Sequence, residues 1–387
     1  MKRKWTMMVL LLLLAGTIFL AYANGANDNF KGVATLAGSG TTTVRRALIW
    51  ATACTMAGGV FAVFWADRLL QTFSGKGLVA NTVVGDPVFL TAVALGAALT
   101  VMVATRLGLP VSTTHALLGA LVGSGLVVSG GSIAWTGLSG SFVIPLLVSP
   151  FLAILLALIA YPPLRWSRRR LNVTSNTCVC VSPGRYVPIT ARSGATAVTA
   201  LAEENPIIVD DASRCVERYA GEVMGVSAAA VVDRVHYLSA GAVSFARGLN
   251  DTPKIVALLL SSQALAAATG WFTPRYGFVL VTVCIAVGGL LSAAKVARTM
   301  SRDITSMNVG QGLTANLVTA FLVLIASRFG MPVSTTHVSC GALFGIGAVT
   351  RQAKWRTIGV IALAWVTTLP LAAALGAAVC LMLRQHG

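Results

Sequence analysis

A chain of 387 residues with 56% hydrophobic residues, 11% charged residues and a mean hydropathy of +0.80 has too little polar surface to cover a water-soluble globule of its size. It belongs in a lipid bilayer, and its apolar stretches lack the strict alternation of a membrane barrel, so they are expected to be helices. The formal net charge of +17 does not argue for nucleic acid: outside residues 164–235 there are 20 Lys and Arg against five carboxylates, Asp28, Asp67, Asp86, Asp251 and Asp303, and the cations mostly flank apolar spans. Such an excess suits anionic lipid and a field that draws anions.

Residues 1–23 open on Lys2-Arg3-Lys4, continue as a leucine run and reach Ala21-Tyr22-Ala23, the layout of a cleavable secretory signal. A repeat described below aligns this stretch with the internal segment 236–247, so a retained first transmembrane helix is expected instead. Further apolar stretches at 44–66, 89–105, 142–160, 278–294, 313–326 and 358–383 lie near the ~20 residues that a spanning helix needs. Residues 164–235 are the only long polar stretch, with nine Arg against seven Asp and Glu. They divide the chain into a first transmembrane repeat (1–163), a central loop (164–235) and a second transmembrane repeat (236–387). The cluster Arg165, Arg168, Arg169 and Arg170 places the start of the loop in the cytoplasm. Lys2-Arg3-Lys4 asks for the same side, which conflicts with the odd number of spans an inverted repeat requires; the repeat and the larger Arg cluster weigh more. Within the loop a short amphipathic helix is expected over 210–226, the remainder being loosely ordered.

Of the seven cysteines, Cys54, Cys284, Cys340 and Cys380 sit in apolar segments as small hydrophobes. Cys178, Cys180 and Cys215 lie in the central stretch without a usual zinc spacing or an accompanying His, and are read as reduced thiols rather than a metal site.

Two peptides recur. Gly25-Ala26-Asn27-Asp28-Asn29-Phe30-Lys31 returns as Gly248-Leu249-Asn250-Asp251-Thr252-Pro253-Lys254, and Leu109-Pro110-Val111-Ser112-Thr113-Thr114-His115 returns as Met331-Pro332-Val333-Ser334-Thr335-Thr336-His337. Thirteen of twenty positions agree between 104–123 and 326–345, and Asp28 to His115 spans 87 residues where Asp251 to His337 spans 86. Matched polar motifs interrupting matched apolar segments mark a secondary transporter built from internal repeats, with its substrate site where the repeats meet.

Ionisable groups inside spans are expensive, so Asp28 and Asp251 are read as functional rather than as interfacial caps. The Gly of each motif permits a break in its helix, exposing backbone groups where the chain lines a cavity; Asn27 and Asn250 add neutral carbonyls suited to a small cation or an exchangeable proton. Pro-Val-Ser-Thr-Thr-His reads as a helix start, in which Pro lacks the N–H that would be unpaired and the hydroxyls cap free amides. At membrane depth such a start directs amides, hydroxyls and the positive end of the helix dipole at an anion. Ser112, Thr113 and Thr114 from one half and Ser334, Thr335 and Thr336 from the other would form two cups around a tetrahedral oxyanion. His115 and His337 are expected to orient these hydroxyls rather than to ligate. Lys31 and Lys254, three residues beyond their Asp, are placed either to meet the carboxylates, so that the four charges cancel, or to snorkel to the interface as anchors.

These motifs resemble those of the inorganic phosphate transporter family, PiT-type anion permeases that carry a Gly-Ala-Asn-Asp and a Pro-x-Ser-Thr-Thr-His motif in each half. The likeness covers nearly the whole chain apart from the central stretch. It implies an all-α integral membrane protein of two inverted repeats with broken or re-entrant helices at the midplane. It further implies a homodimer in the inner (plasma) membrane, with several passes and no cofactor, carrying phosphate with Na⁺ or H⁺. By that likeness Asn27, Asp28, Asn250 and Asp251 stand near coupling ions and substrate, and Ser112, Thr113, Thr114, Ser334, Thr335 and Thr336 form the phosphate cradle. The family's usual motif places Asn where Lys31 and Lys254 stand, which argues for proton over sodium coupling. A sulfate permease of the same fold and a sodium-coupled phosphate symporter are the alternatives. An intramembrane hydrolase built on Ser112 and His115 is disfavoured by the duplication and the missing third group.

Overall fold

The computed structural model describes residues 2–65, 67–74, 79, 81–131, 133–174, 176–181, 186–189, 198–201, 207–211, 225–269 and 273–386. The chain forms two compact units, Met1–Tyr161 with His236–Gly387, and Pro162–Val235.

The larger unit is helical. Its first half carries α1 (Lys2–Asp28), α2 (Ala34–Gly38), α3 (Val44–Trp65), α4 (Asp67–Phe73), α5 (Asn81–Val84), α6 (Pro87–Arg106), α7 (Thr113–Val128), α8 (Trp135–Leu138) and α9 (Ile144–Arg170). Its second half carries α10 (Ala228–Ser261), α11 (Gln263–Thr269), α12 (Pro274–Ser292), α13 (Ala294–Arg298), α14 (Val309–Phe329), α15 (Thr335–Thr350) and α16 (Trp355–Gln385). Among the described residues, seven helices, α1, α3, α6, α9, α12, α14 and α16, are long and apolar enough to cross a bilayer, which makes this an all-α multi-pass membrane protein. The order of long helices is the same in the two halves: α1, α3, α6, α7, α9 against α10, α12, α14, α15, α16.

Local chemistry fixes the helix ends that matter for the site. Pro87 opens α6 behind Asp86, whose carboxylate accepts from Val88 N. Asn308 and Gln311 close a reciprocal capping box at the start of α14, and Gly330, at φ 69°, ends that helix in the left-handed conformation. Short extended segments then deliver Ser112 and Ser334 as the N-caps of α7 and α15, each hydroxyl accepting from the backbone N–H three residues on.

The motif glycines do something other than break their helices. Gly25 lies inside α1, and a Cβ there would stand 1.9 Å from Ile285 O on α12; reciprocally, a Cβ on Gly288 of α12 would stand 2.0 Å from Tyr22 O. The second copy repeats the arrangement, with Gly248 of α10 against Thr55 O of α3 and Gly58 of α3 against Phe245 O of α10. Each motif helix thus crosses a helix of the opposite half at backbone contact, the mode that small residues permit in membranes. The expected break falls later and in one copy only: the chain leaves the helix after Asp28, turns through 29–33 and resumes as α2, whereas α10 runs unbroken through Asp251 and Pro253. Glycines also seat α7 and α15, with Gly123 against Ala373 O of α16 and Gly345 against Ile154 O of α9. Gly96 of α6 and Gly376 of α16 also meet, a Cβ on Gly96 falling 2.7 Å from Gly376 Cα.

The smaller unit corrects a second expectation. Ile207–Asp211 is a strand, pairing antiparallel with Thr177–Val181, which also pairs with Gly225–Ser227; Tyr186–Ile189 pairs with Val198–Leu201. The helix expected over 210–226 is therefore strand at both ends, and 212–224 lie outside the described residues. The β-branched run Ile207-Ile208-Val209 outweighs the helical spacing of the residues after it. Cys178 stands opposite Asp210 in this sheet, while Cys215 is outside the described residues.

Gly248→Ala tests the crossing. The added methyl meets the Thr55 carbonyl and costs about 1–3 kcal/mol of stability, read as a lower melting temperature in detergent. Gly359→Ala, on a helix face with nothing within 4 Å, leaves the melting temperature unchanged or raised.

Candidate functional site

All four repeated motifs meet in one buried polar cluster, and they do so by exchange between halves. Lys31, just past the end of α1, directs its ammonium to Asp28 Oδ1, to Asn27 Oδ1 at 3.0 Å, to Val111 O at 2.8 Å and across to Thr336 Oγ1 of the second half at 2.5 Å. Lys254 on α10 mirrors it, donating to Asp251 Oδ1 at 3.3 Å, to Val333 O at 2.9 Å and across to Thr114 Oγ1 of the first half at 2.8 Å. The hydroxyls cross as well: Thr336 Oγ1 donates to Val111 O at 2.7 Å and Thr114 Oγ1 to Val333 O at 3.3 Å. Thr113 donates to Asp28 Oδ2 at 3.3 Å and Thr335 to Asp251 Oδ2 at 3.5 Å. Every site residue expected from the motifs is buried here, including both lysines, whose side chains are 1% exposed.

The asparagines tie the cluster to the loops before α7 and α15. Asn27 Nδ2 donates to Thr105 Oγ1 at 2.9 Å and Leu109 O at 3.0 Å, while its Oδ1 accepts from Val111 N at 3.1 Å. Asn250 Nδ2 donates to Asp251 Oδ1 at 2.9 Å and Val333 O at 3.3 Å, and its Oδ1 accepts from Ser327 Oγ at 3.3 Å. Thr105 also lines an open pocket with Tyr22, Met102, Arg106, Leu291 and Lys295, so two cations border that pocket. Ser112 and Ser334 accept the backbone N–H of His115 and His337 and keep their hydroxyl protons free to donate elsewhere. The histidine rings do not hold the hydroxyls as expected. They stack on each other at 4.4 Å between centroids, and Trp365 covers His337 at 4.0 Å while its Nε1 donates to Pro110 O.

The sequence reading missed one charged residue. Arg247 on α10 is 1% exposed and is the largest fully buried side chain of the described chain. Its Nη2 donates to Asn24 Oδ1 at 2.9 Å, its Nη1 to Asn29 Oδ1 at 2.9 Å and Thr55 Oγ1 at 3.2 Å, and its Nε, which makes no hydrogen bond, stands 3.7 Å from Asp251 Oδ2. Asn24 in turn donates to Asp28 Oδ2 at 3.1 Å, Thr113 Oγ1 at 3.0 Å and Asp251 Oδ2 at 3.3 Å, bridging the two carboxylates. The signal was present: Asn24 and Arg247 each precede their Asp by four residues, one helical turn, and the pair is where the duplicated motifs differ in charge.

A phosphate transporter family model matches residues 24–376. A protein of Pyrococcus abyssi named as a phosphate permease is 28% identical, the match covering 96% of each chain. The probable low-affinity inorganic phosphate transporter of Rhizobium meliloti is 28% identical over 95% of this chain and 94% of its own. Among solved structures, one described as the sodium-dependent phosphate transporter superposes with a TM-score of 0.74 at 23% identity, covering 98% of this chain and 99% of that one, and shows the same fold.

The ion pairs make a prediction about stability. Lys254→Met takes away one of the two cations beside Asp251, leaving Arg247 Nε at 3.7 Å, and leaves Thr114 and Val333 O without their buried donor, which costs about 1–3 kcal/mol. Asp251→Asn combined with Lys254→Met removes both charges and recovers part of that loss, so thermal unfolding of the two single variants and the double variant gives a non-additive cycle; additivity would show that the pair is not coupled. The model match over residues 24–376 and the paired motifs that build this cluster identify the chain as a member of the phosphate transporter family.

Proposed function

We propose that this protein is a symporter that carries inorganic phosphate together with protons, its two halves acting as inverted repeats around the motif cluster. The observation that carries the reading is the placement of the two ammonium groups. Each sits on its Asp, where a coupling cation would sit, and each reaches a threonine hydroxyl of the opposite half. A tethered cation in both positions leaves no charge deficit for sodium to fill, which favours protons as the coupling ion.

The same geometry links proton and anion binding. Lys31 and Lys254 are held by Asp28 and Asp251. A proton on either carboxylate, or shared between that carboxylate and a phosphate oxygen, cancels the charge that holds the ammonium and frees it to pair with the anion. Each ligand thereby improves the site for the other, and the coupling is reciprocal. Ser112, Thr113, Thr114, Ser334, Thr335 and Thr336 supply hydroxyl donors, and the first turns of α7 and α15 supply amides, from opposite sides. Asn27 and Asn250 fix the loops that present them. Transport rather than hydrolysis is supported by Ser112, whose hydroxyl meets the backbone of His115 and not its ring. Homodimers in the plasma membrane, with the 164–235 segment in the cytoplasm, complete the proposal.

Uptake into proteoliposomes decides the coupling. Labelled phosphate and labelled sulfate are offered with sodium and pH gradients imposed separately; phosphate accumulates on a pH gradient in sodium-free medium and sulfate does not. Lys31→Asn with Lys254→Asn introduces sodium dependence. Strong sodium dependence in the parent protein would sink the proton reading, and sulfate accumulation would favour the rival anion.

The cradle has its own test. Ser112→Ala combined with Ser334→Ala weakens phosphate binding by about 1–3 kcal/mol for each lost buried donor, measured by calorimetry on purified protein. Unchanged affinity would mean that both hydroxyls serve as caps and nothing more.

A further inference from the structure

The buried cluster is not neutral. In their ordinary charge states Asp28 and Asp251 contribute two negative charges, and Lys31, Lys254 and Arg247 three positive ones, so the five groups sum to +1. All five are buried, and the surplus belongs to Arg247, whose counterpart in the first repeat is the neutral Asn24. The guanidinium lies inside the cluster rather than at its edge: it is bonded to Asn24, which itself holds Asp28, Asp251 and Thr113. Its Nε has no hydrogen-bond partner, an unusual state for a buried charged donor. We infer that Arg247 fixes the charge of the cargo: the site closes on phosphate carrying a total of one negative charge, counting any proton bound with it.

The argument is one of desolvation. Net charge is costly at membrane depth, and the empty cluster carries +1; cargo with one negative charge in total removes that cost, whereas a dianion without a proton replaces it with a cost of the same size and opposite sign. With a surplus of +1, neutrality is reached by the monoanion of phosphate alone, or by its dianion with one proton on Asp28 or Asp251. The two are the same composition with the proton on different oxygens. Sulfate brings no proton and must protonate a carboxylate that already holds a lysine, so it is disfavoured. The inference rests on the phosphate reading above and adds the stoichiometry to it. Other titratable groups around Arg247 are few: Asp251 and Lys254 on its own helix, Asp28 and Lys31 from the first half, and then the stacked His115 and His337 and the thiol of Cys340.

The test is proton linkage in equilibrium binding, measured by calorimetry on purified protein with inorganic phosphate across a pH series and buffers of different ionisation enthalpy. In the parent protein the apparent Kd for total phosphate is flat below the second ionisation of phosphate and rises about tenfold per pH unit above it, one proton per bound anion. Arg247→Gln lowers the surplus to zero and adds one proton at every pH, so its Kd rises about tenfold per unit even below that ionisation. Arg247→Lys keeps the charge and restores the parental profile, which a merely structural role for the arginine would not predict. A parental Kd that falls or stays flat above the second ionisation overturns the inference, with or without a folded variant, while leaving phosphate as the ligand. An unshifted profile in Arg247→Gln overturns it as well. No phosphate binding at any pH overturns both this inference and the function it rests on.

Discussion

The cost of holding charge away from water organises this molecule. Five ionisable side chains lie buried in a helical bundle whose core clusters are built of Leu, Val, Ala, Ile and Phe. They are tolerable only because each is answered: the carboxylates by lysines one helical turn away, the lysines by carbonyls of Val111 and Val333, and the guanidinium by Asn24, Asn29 and Thr55. Much else in the fold serves that satisfaction. The extended segments before α7 and α15 bring their carbonyls inward, and the asparagines of the Asn-Asp motifs hold those segments in place.

The answering groups come repeatedly from the opposite half. Lys31 reaches Thr336, Lys254 reaches Thr114, and α1 and α10 each cross a helix of the other repeat at glycine. Neither half closes its own charges alone, so the cluster is also the seam that fastens the repeats together. A cluster held by hydrogen bonds between polar groups is suited to exchanging partners when an anion arrives. Hydroxyls and ammonium groups change acceptor without opening a cavity in a packed apolar core.

Much of this was legible in the sequence because it was written twice. The duplication singled out Asp28 and Asp251 from the other carboxylates, set the lysines beside them, and marked Ser112 and Ser334 as helix starts, all of which the structure places together. What duplication could not supply was read less well. A glycine in such a motif reads as a helix breaker because a backbone without a side chain can bend; only the three-dimensional crossing shows that the space is filled by a neighbouring carbonyl. The expected helix at 210–226 followed polar spacing and overlooked the β-branched run at 207–209 that recruits Asp210 and Asp211 into a strand. Arg247 has no twin to mark it, since Asn24 stands at the equivalent place in the first copy.

The differences between the copies are where a duplicated scaffold acquires direction. Two halves that both carried Asn at the place of Asn24 and Arg247 would present paired charges and no surplus. Here one copy breaks its helix after Asp28 while the other runs on through Pro253, and one carries Asn24 where the other carries Arg247. The broken copy frees the backbone around Lys31 to turn toward Thr336; the continuous one holds Arg247, Asp251 and Lys254 on successive turns of a single helix, in fixed relative position. The duplicated motifs build the buried cluster, and the single unmatched guanidinium gives it its surplus charge.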